Sequence, residues 1–125
     1  MTDVTGFGVI GHAREMAIAS GVSLRIQASR VPLLEGALEC VRARLVPGGL
    51  KANRNFAEGC VEYADDVPED IRTLLYDPQT AGGLLIAVVA PDAERLLSEL
   101  RSSEINAVEV GEVAQKQKPL IAVTR

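Results

Sequence analysis

The sequence predicts an α+β domain, with a mixed sheet of about four strands and helices packed mainly on one face. Three observations support this fold class. Val22 to Ala28 alternate apolar and polar side chains, which is the period of a half-buried strand. Residues 9–17 and 34–45 repeat apolar side chains at helical spacing. The run Leu84 to Val89 is continuously apolar and follows a glycine pair, which is typical of a buried strand.

The composition indicates one domain over residues 1–125. With 47% hydrophobic and 24% charged residues, the chain is long enough for a single core. The net charge of -4 argues against a nucleic-acid surface, which would need clustered Lys and Arg. No apolar run approaches the roughly 20 residues of a membrane span, and no signal peptide precedes the first motif. We therefore expect a cytoplasmic protein with no nucleic-acid or membrane partner.

Helices and strands alternate in the first half of the chain. A helix is predicted from Gly8 to Ser20, and the strand Val22 to Ala28 follows it. A second helix is predicted over residues 34–45, and we expect its apolar face to belong to the core. Leu50 to Gly59 remains open between a short helix and an irregular loop.

The second half is predicted to contain a short strand, a helix, an apolar strand, another helix and two final strands. In chain order these lie at Cys60–Tyr63, after Asp66, at Leu84–Val89, after Pro91, and at Ala107–Val113 and Leu120–Val123. We expect the apolar strand to be central in the sheet, since strands without polar alternation are usually buried on both faces. The polar loop between the last two strands resembles a hairpin connection.

The start of the chain, Thr2-Asp3-Val4-Thr5-Gly6-Phe7-Gly8-Val9-Ile10-Gly11-His12, combines a carboxylate with a glycine-containing turn that opens a helix. Thr5 is predicted to be the N-cap of this helix. Free amides at a helix start attract anions, and Asp3 is placed to hold a divalent cation that a phosphate chain shares. On spacing alone, a plain strand-to-helix connection is favoured, because short glycine motifs often match by chance.

A second motif, Asp77-Pro78-Gln79-Thr80-Ala81-Gly82-Gly83, lies between a predicted helix and the apolar strand. The favoured interpretation is a turn, in which Asp77 bonds to nearby amides and the two glycines allow a tight approach to the strand. The alternative is a backbone nest and a hydroxyl that face an anion at a domain interface.

The remaining reactive side chains are expected to be structural. His12 is the only histidine, and no nucleophile or second ligand accompanies it. We expect it to bond a carbonyl group or to pack on a neighbour rather than to act as a general base. Cys40 and Cys60 have neither metal-ligand spacing nor a disulfide framework, and we expect buried, inert thiols.

Together the two motifs resemble the C-terminal half of the selenide, water dikinase (selenophosphate synthetase) family, within the ATP-binding superfamily of aminoimidazole ribonucleotide synthetase. The resemblance covers nearly the whole chain and implies a partly ferredoxin-like fold. It implies that Asp3 helps to bind the Mg²⁺ ions that bridge the ATP phosphates, and that Thr5 and Thr80 lie near those phosphates. The family usually has Ser where Ala81 stands, so we expect no hydroxyl role there.

Asn53 and Arg54 resemble the family's Gly-Gly-x-x-x-Asn stretch. We interpret them as structural, with a part in ordering an interface to another domain.

The resemblance also implies what lies outside this chain. The family's catalytic lysine, glycine-rich segment, other metal-binding aspartates and reactive cysteine or selenocysteine belong to an N-terminal ATP-binding domain. We therefore expect no catalytic residue here. The complete enzyme, expected to be a homodimer, would make selenophosphate from selenide, ATP and water, releasing AMP and phosphate.

Met1 directly precedes a motif that is expected in mid-chain, so we expect an excised, inactive domain. An apolar patch around Phe7 and Val9 would dock the N-terminal domain. Two alternatives remain open at this point. One is a non-catalytic module that binds a small molecule or a protein, and the other is the same domain of a related ATP-dependent enzyme.

Overall fold

The computed structural model describes all 125 residues and contains six strands and five α-helices. The strands are β1 (Thr2–Asp3), β2 (Val22–Gln27), β3 (Val61–Tyr63), β4 (Leu84–Leu85), β5 (Gly111–Gln115) and β6 (Ile121–Thr124). The helices are α1 (Gly8–Ser20), α2 (Ala37–Arg42), α3 (Gly48–Ala57), α4 (Glu69–Leu74) and α5 (Ala90–Ser102). Short 3₁₀ turns occupy Ala28–Arg30 and Glu58–Cys60. The predicted bounds of α1 are confirmed, and the open segment from Leu50 to Gly59 is largely helical.

Four strands form a mixed sheet in the order β3-β6-β2-β5. β2 runs parallel to β6 and antiparallel to β5, and β3 runs parallel to β6. This arrangement confirms the predicted fold class. β1 and β4 form a separate antiparallel ribbon of two residues each.

The core lies on one face of the sheet. The parallel register places Ile26 beside Val123 and Leu24 beside Ile121, so that these apolar side chains share a face. Buried residues of α1 and α3 pack against that face within one cluster. The opposite face is polar and carries an exposed ion pair between Arg25 and Glu112, at 2.8 Å. Helices therefore cover one face, as the sequence predicts.

The second predicted helix is shorter and more peripheral than expected. Only Ala37–Arg42 is helical, none of its residues is buried, and Leu34 and Leu45 are 74% and 70% exposed. The prediction of a core face is therefore wrong. Gly36, with φ of 80°, precedes the helix, and Arg44, with φ of 61°, follows it. Side chains beyond these breaks no longer share the helical face that their spacing predicts.

Three predictions for the second half are also wrong. The apolar run is not a central strand, because only Leu84–Leu85 pairs, and it pairs with β1 outside the main sheet. The final strands β5 and β6 do not form a hairpin, because β2 lies between them. β5 begins at Gly111, so the segment 107–110 is not a strand.

No helix in this fold combines the length and the apolar character that crossing a membrane would require.

Candidate functional site: the junction of the two motifs

The two motifs lie far apart in sequence and meet in the structure. We call residues 3–8 together with residues 77–83 the junction. Three backbone hydrogen bonds join its halves, from Val4 N to Gly83 O at 2.9 Å, from Gly82 N to Val4 O at 2.8 Å, and from Gln79 N to Thr5 O at 3.1 Å. The second motif therefore supports the first one directly.

Two glycines make this close approach possible. Gly8 has φ of 69°, and a Cβ there would lie 2.8 Å from the carbonyl carbon of Tyr76 and 2.9 Å from the oxygen of Asp77. A Cβ at Gly82 would lie 2.9 Å from the oxygen of Val4. Gly82 therefore agrees with the turn interpretation of the second motif, because the absence of a side chain there allows contact with the chain's own backbone.

The Asp3 carboxylate is exposed and makes no hydrogen bond or ion pair with any other side chain or amide. Strand alternation explains its direction, since Val4, the next residue, is 5% exposed and points into the fold. No group of three or more His, Cys, Asp or Glu residues is arranged to hold a metal ion. The free carboxylate suits one ligand position of Mg²⁺, which usually takes few carboxylates and keeps phosphate and water ligands.

Thr5 is not the N-cap of α1. The N-cap position belongs to Phe7, which makes no side-chain capping hydrogen bond. Instead, the Thr5 amide donates to Nε2 of His12 at 3.0 Å, and the Thr5 hydroxyl lies 3.2 Å from the same nitrogen. Because an amide can only donate, Nε2 is an acceptor and the proton of the neutral ring is on Nδ1. His12 is structural as predicted, although its partner is an amide rather than a carbonyl group.

The start of α1 offers fewer free amides than its sequence indicates. The amide of Gly8 donates to Thr5 O at 3.0 Å, and the amide of Ile10 donates to Leu75 O at 3.1 Å. These two donors hold the turn in place. They are not available to an anion in this conformation.

The acidic end of the second motif has an internal partner. Oδ2 of Asp77 accepts a hydrogen bond from the side-chain amide of Gln79, rather than from the backbone amides that we expected. Burial raises the pKa of Asp77, and the hydrogen bond from Gln79 partly opposes that change. Thr80 is exposed, and its hydroxyl makes no hydrogen bond. Asp77 therefore differs from Asp3, whose carboxylate is free.

Asn53 of α3 connects two parts of the site. Its Nδ2 donates to Gly6 O at 2.8 Å and to Tyr76 O at 3.0 Å, so one amide group joins the first half of the junction to the residue directly before the second half. Arg54 forms ion pairs with Glu58 and Glu69, and the hydrogen bond to Glu69 raises the pKa of Arg54. The structural interpretation of both residues agrees with these contacts.

Sequence reasoning missed the tyrosine pair beneath the junction. The hydroxyl of Tyr63 donates to the hydroxyl of Tyr76 at 2.9 Å, and Tyr76 is fully buried. Burial raises the pKa of both tyrosines, and the hydrogen bond to Tyr76 raises that of Tyr63 further. The only available signal was that Tyr76 directly precedes the second motif, which says nothing about its distant partner.

The two cysteines differ in exposure. Cys40 is exposed on the peripheral helix α2, so the prediction that it is buried is wrong. Cys60 is half-buried, donates through Sγ to Ala57 O at 3.0 Å, and has a pKa that burial raises. Cys60 therefore favours the protonated, unreactive thiol.

An aromatic patch lies beside the junction and consists of Phe7, Phe56 and Arg14. The two phenylalanine rings stack with centroids 6.2 Å apart, and they are 53% and 55% exposed. The Arg14 guanidinium lies 4.4 Å from the centre of the Phe56 ring. Val9, which we expected in the patch, packs against the core instead. An exposed apolar pair of this kind is typical of a contact surface.

The fold is an α+β layer structure with helices on one face of its sheet. The junction lies at its edge and presents the free carboxylate of Asp3, with no cluster of residues that could hold a metal ion by itself. Residues 1–123 match the family described as AIR synthase related protein, C-terminal domain, and the chain belongs to this family.

Its curated relatives include three bacterial proteins named selenide, water dikinase. The protein of Clostridioides difficile is 40% identical over 124 residues, which are 98% of this chain and 36% of that protein. The protein of Pelobacter propionicus is 45% identical over 123 residues, which are 98% of this chain and 35% of that protein. The protein of Caldanaerobacter subterraneus is 42% identical over 120 residues, which are 94% of this chain and 34% of that protein. The chain thus spans about a third of the length of these relatives.

Proposed function

We propose that this chain is the C-terminal domain of a selenide, water dikinase and that it supplies Asp3 to a magnesium site shared with the phosphates of ATP. The observation that carries the proposal is the free carboxylate of Asp3. It lies on a junction that hydrogen bonds from the second motif and from Asn53 hold in place. The name and the coverage of the relatives support the choice of enzyme.

The residues present suit Mg²⁺ as one part of a divided site. A hard carboxylate oxygen is the kind of ligand that Mg²⁺ prefers, and Asp3 has no internal partner to give up. Magnesium neutralises charge on the phosphates of ATP during phosphoryl transfer. In this proposal the role of the domain is positional, because the junction would orient Asp3 and the neighbouring hydroxyls of Thr5 and Thr80 toward the nucleotide. A role near the phosphates is less well supported for Thr5 than for Thr80, since the Thr5 hydroxyl already lies beside His12.

The remainder of the site belongs, in this proposal, to an N-terminal ATP-binding domain of the same polypeptide. That domain would contribute the other metal ligands and the catalytic groups, and the aromatic patch is the surface that contacts it. The complete enzyme would be a cytoplasmic homodimer that converts selenide, ATP and water into selenophosphate, AMP and phosphate.

The test uses the complete protein encoded by the gene, purified and supplied with selenide, ATP and Mg²⁺ without oxygen. Phosphorus NMR should show selenophosphate, AMP and phosphate, and their formation should require both selenide and Mg²⁺. ATP consumption that is indifferent to selenide, or no reaction at all with intact, folded protein, would refute the proposed activity.

A further inference from the structure

We propose that the residues directly preceding position 1 in the complete polypeptide form a strand that continues β1 and pairs antiparallel with Ile86–Val89. This inference rests on the proposed function, which makes the chain the C-terminal part of a longer protein. We call Ile86–Val89 the open edge.

The register of the ribbon fixes where a preceding residue would lie. Thr2 is opposite Leu85, and Asp3 is opposite Leu84. In an antiparallel pair, each step back along one strand is a step forward along the other. Position 1 therefore faces Ile86, and the three positions before it face the rest of the open edge. Relatives about three times as long, matched here by a C-terminal family, provide that preceding chain.

The open edge has the chemistry of a strand that lacks its partner. Ile86, Val88 and Val89 are 39%, 42% and 66% exposed, and two of the three are valines, which favour strands. None of the amides from Ile86 to Val89 donates a backbone hydrogen bond. An exposed apolar segment with unpaired amides is a template for strand addition.

The hydrogen-bonding phase identifies which amides an added strand would use. Val4 N donates to Gly83 O at 2.9 Å, so the Val4 amide points toward the partner strand and Val4 occupies a bonded position. Bonded and non-bonded pairs alternate along an antiparallel ribbon. The next bonded pair is therefore Thr2 with Leu85. Beyond it, the amides of Ala87 and Val89 would bond to residues that precede position 1. The amides of Ile86 and Val88 point away from the added strand.

An apolar groove lies on the inner side of the ribbon. Leu85–Val88 form one wall of the groove, and the other walls are α5, residues 107–113 and part of β2. The volume between these walls is about 510 Å³. The half-buried Thr2 and Leu85 show that alternate positions of the ribbon face inward. The added strand therefore needs an apolar side chain at the inward position opposite Ala87, where it would extend the groove-facing side.

The direct test is hydrogen exchange at single-residue resolution in two proteins, the 125-residue chain and the complete protein. The amides of Ala87 and Val89 should exchange at least about tenfold more slowly in the complete protein, because they become bonded there. Those of Ile86 and Val88 should change much less, and they are the internal control. Unchanged exchange at Ala87 and Val89, or equal slowing of all the amides of the open edge, would overturn the inference.

A pair of substitutions in the complete protein supplies a second measurement. Ala87→Pro removes an amide that the added strand needs, whereas Val88→Pro removes one that points away. Ala87→Pro should lower the melting temperature more than Val88→Pro does in the complete protein, and the two should have similar effects in the 125-residue chain. Equal effects in the complete protein would contradict the predicted pairing.

These results separate the inference from the proposed enzyme. Protection at Ala87 and Val89 in a complete protein that makes no selenophosphate would support the strand and refute the activity. A complete protein that makes selenophosphate but lacks that protection would support the activity and refute the strand. A reading frame that begins at Met1 would refute both.

Discussion

The backbone of Gly8 touches the backbone of Tyr76 and Asp77, and this contact holds the two motifs together. A Cβ at Gly8 would come within 3.0 Å of three backbone atoms, and φ there is 69°. Backbone atoms cannot move aside as the end of a flexible side chain can. The first turn and the second motif are therefore packed too closely for any side chain at this position.

Gly8→Ala should lower the free energy of unfolding by about 3 kcal/mol, from the left-handed backbone cost together with overpacking. Gly6→Ala is the matched control, because nothing lies within 4 Å of a Cβ at that position and its φ is not positive. Urea unfolding monitored by circular dichroism measures both. Equal stability of the two variants would show that the close contact is not a requirement of the fold.

Asn53 is the second residue on which the junction depends. Asn53→Ala should destabilise the chain by about 1–3 kcal/mol, because it leaves the carbonyl groups of Gly6 and Tyr76 without their donor. Asn55→Ala, an exposed change on the same helix with no hydrogen bond to lose, should be nearly neutral. If both substitutions proved neutral in the same unfolding experiment, Asn53 would not hold the junction.

Among the elements, those predicted correctly are set by local pattern. α1 combines an apolar stripe with Gly21 as its stop, and β2 alternates with period two, so each is recognisable without its neighbours. α2 has the same kind of stripe, yet breaks at Gly36 and Arg44 leave Leu34 and Leu45 exposed. Whether a stripe is buried depends on which element packs against it, and a single sequence does not state that.

β4 shows the same limit for strands. The apolar run that it begins is strand-like in sequence, but a strand also needs a partner, and β1 supplies only two residues of pairing. The site follows this pattern as well. Asp3 and both glycine motifs were singled out by the family resemblance of two short local motifs, whereas the bonds from Asn53 and the tyrosine pair join distant segments and left no local signal.

The contact between β3 and the end of α4 predicts how the stability of the fold depends on pH. Tyr63 and Tyr76 are the only tyrosines, there is no tryptophan, and the pKa of each is raised by burial. The folded state retains both protons above pH about 10, where the unfolded state loses them. Stability is therefore fully present below that pH and falls as pH rises above it.

Tyrosinate absorbance should accordingly rise only together with the loss of the circular dichroism signal at alkaline pH. Tyr63→Phe should reduce the absorbance change by half, since one tyrosine remains. Tyrosinate that forms near pH 10 in a protein that is still folded would contradict the buried pair.

In the proposed function, this chain carries only part of a metal site. It offers one free carboxylate at the junction, and no cluster that could hold a metal ion by itself. Calorimetry with the isolated chain and Mg-ATP should therefore show no binding in the micromolar range, because most phosphate and metal ligands are absent. The complete protein is the positive control. Micromolar affinity of the isolated chain would mean that the site is already complete here.

The most direct test of the central claim is Asp3→Asn in the complete protein, with the Mg²⁺ dependence of selenophosphate formation as the measurement. The substitution should raise the Mg²⁺ concentration needed by at least about tenfold, since a metal ligand is lost, and should leave the melting temperature unchanged. Asp65→Asn, an exposed aspartate that also lacks a partner, should change neither. A wild-type Mg²⁺ dependence in Asp3→Asn would contradict the account.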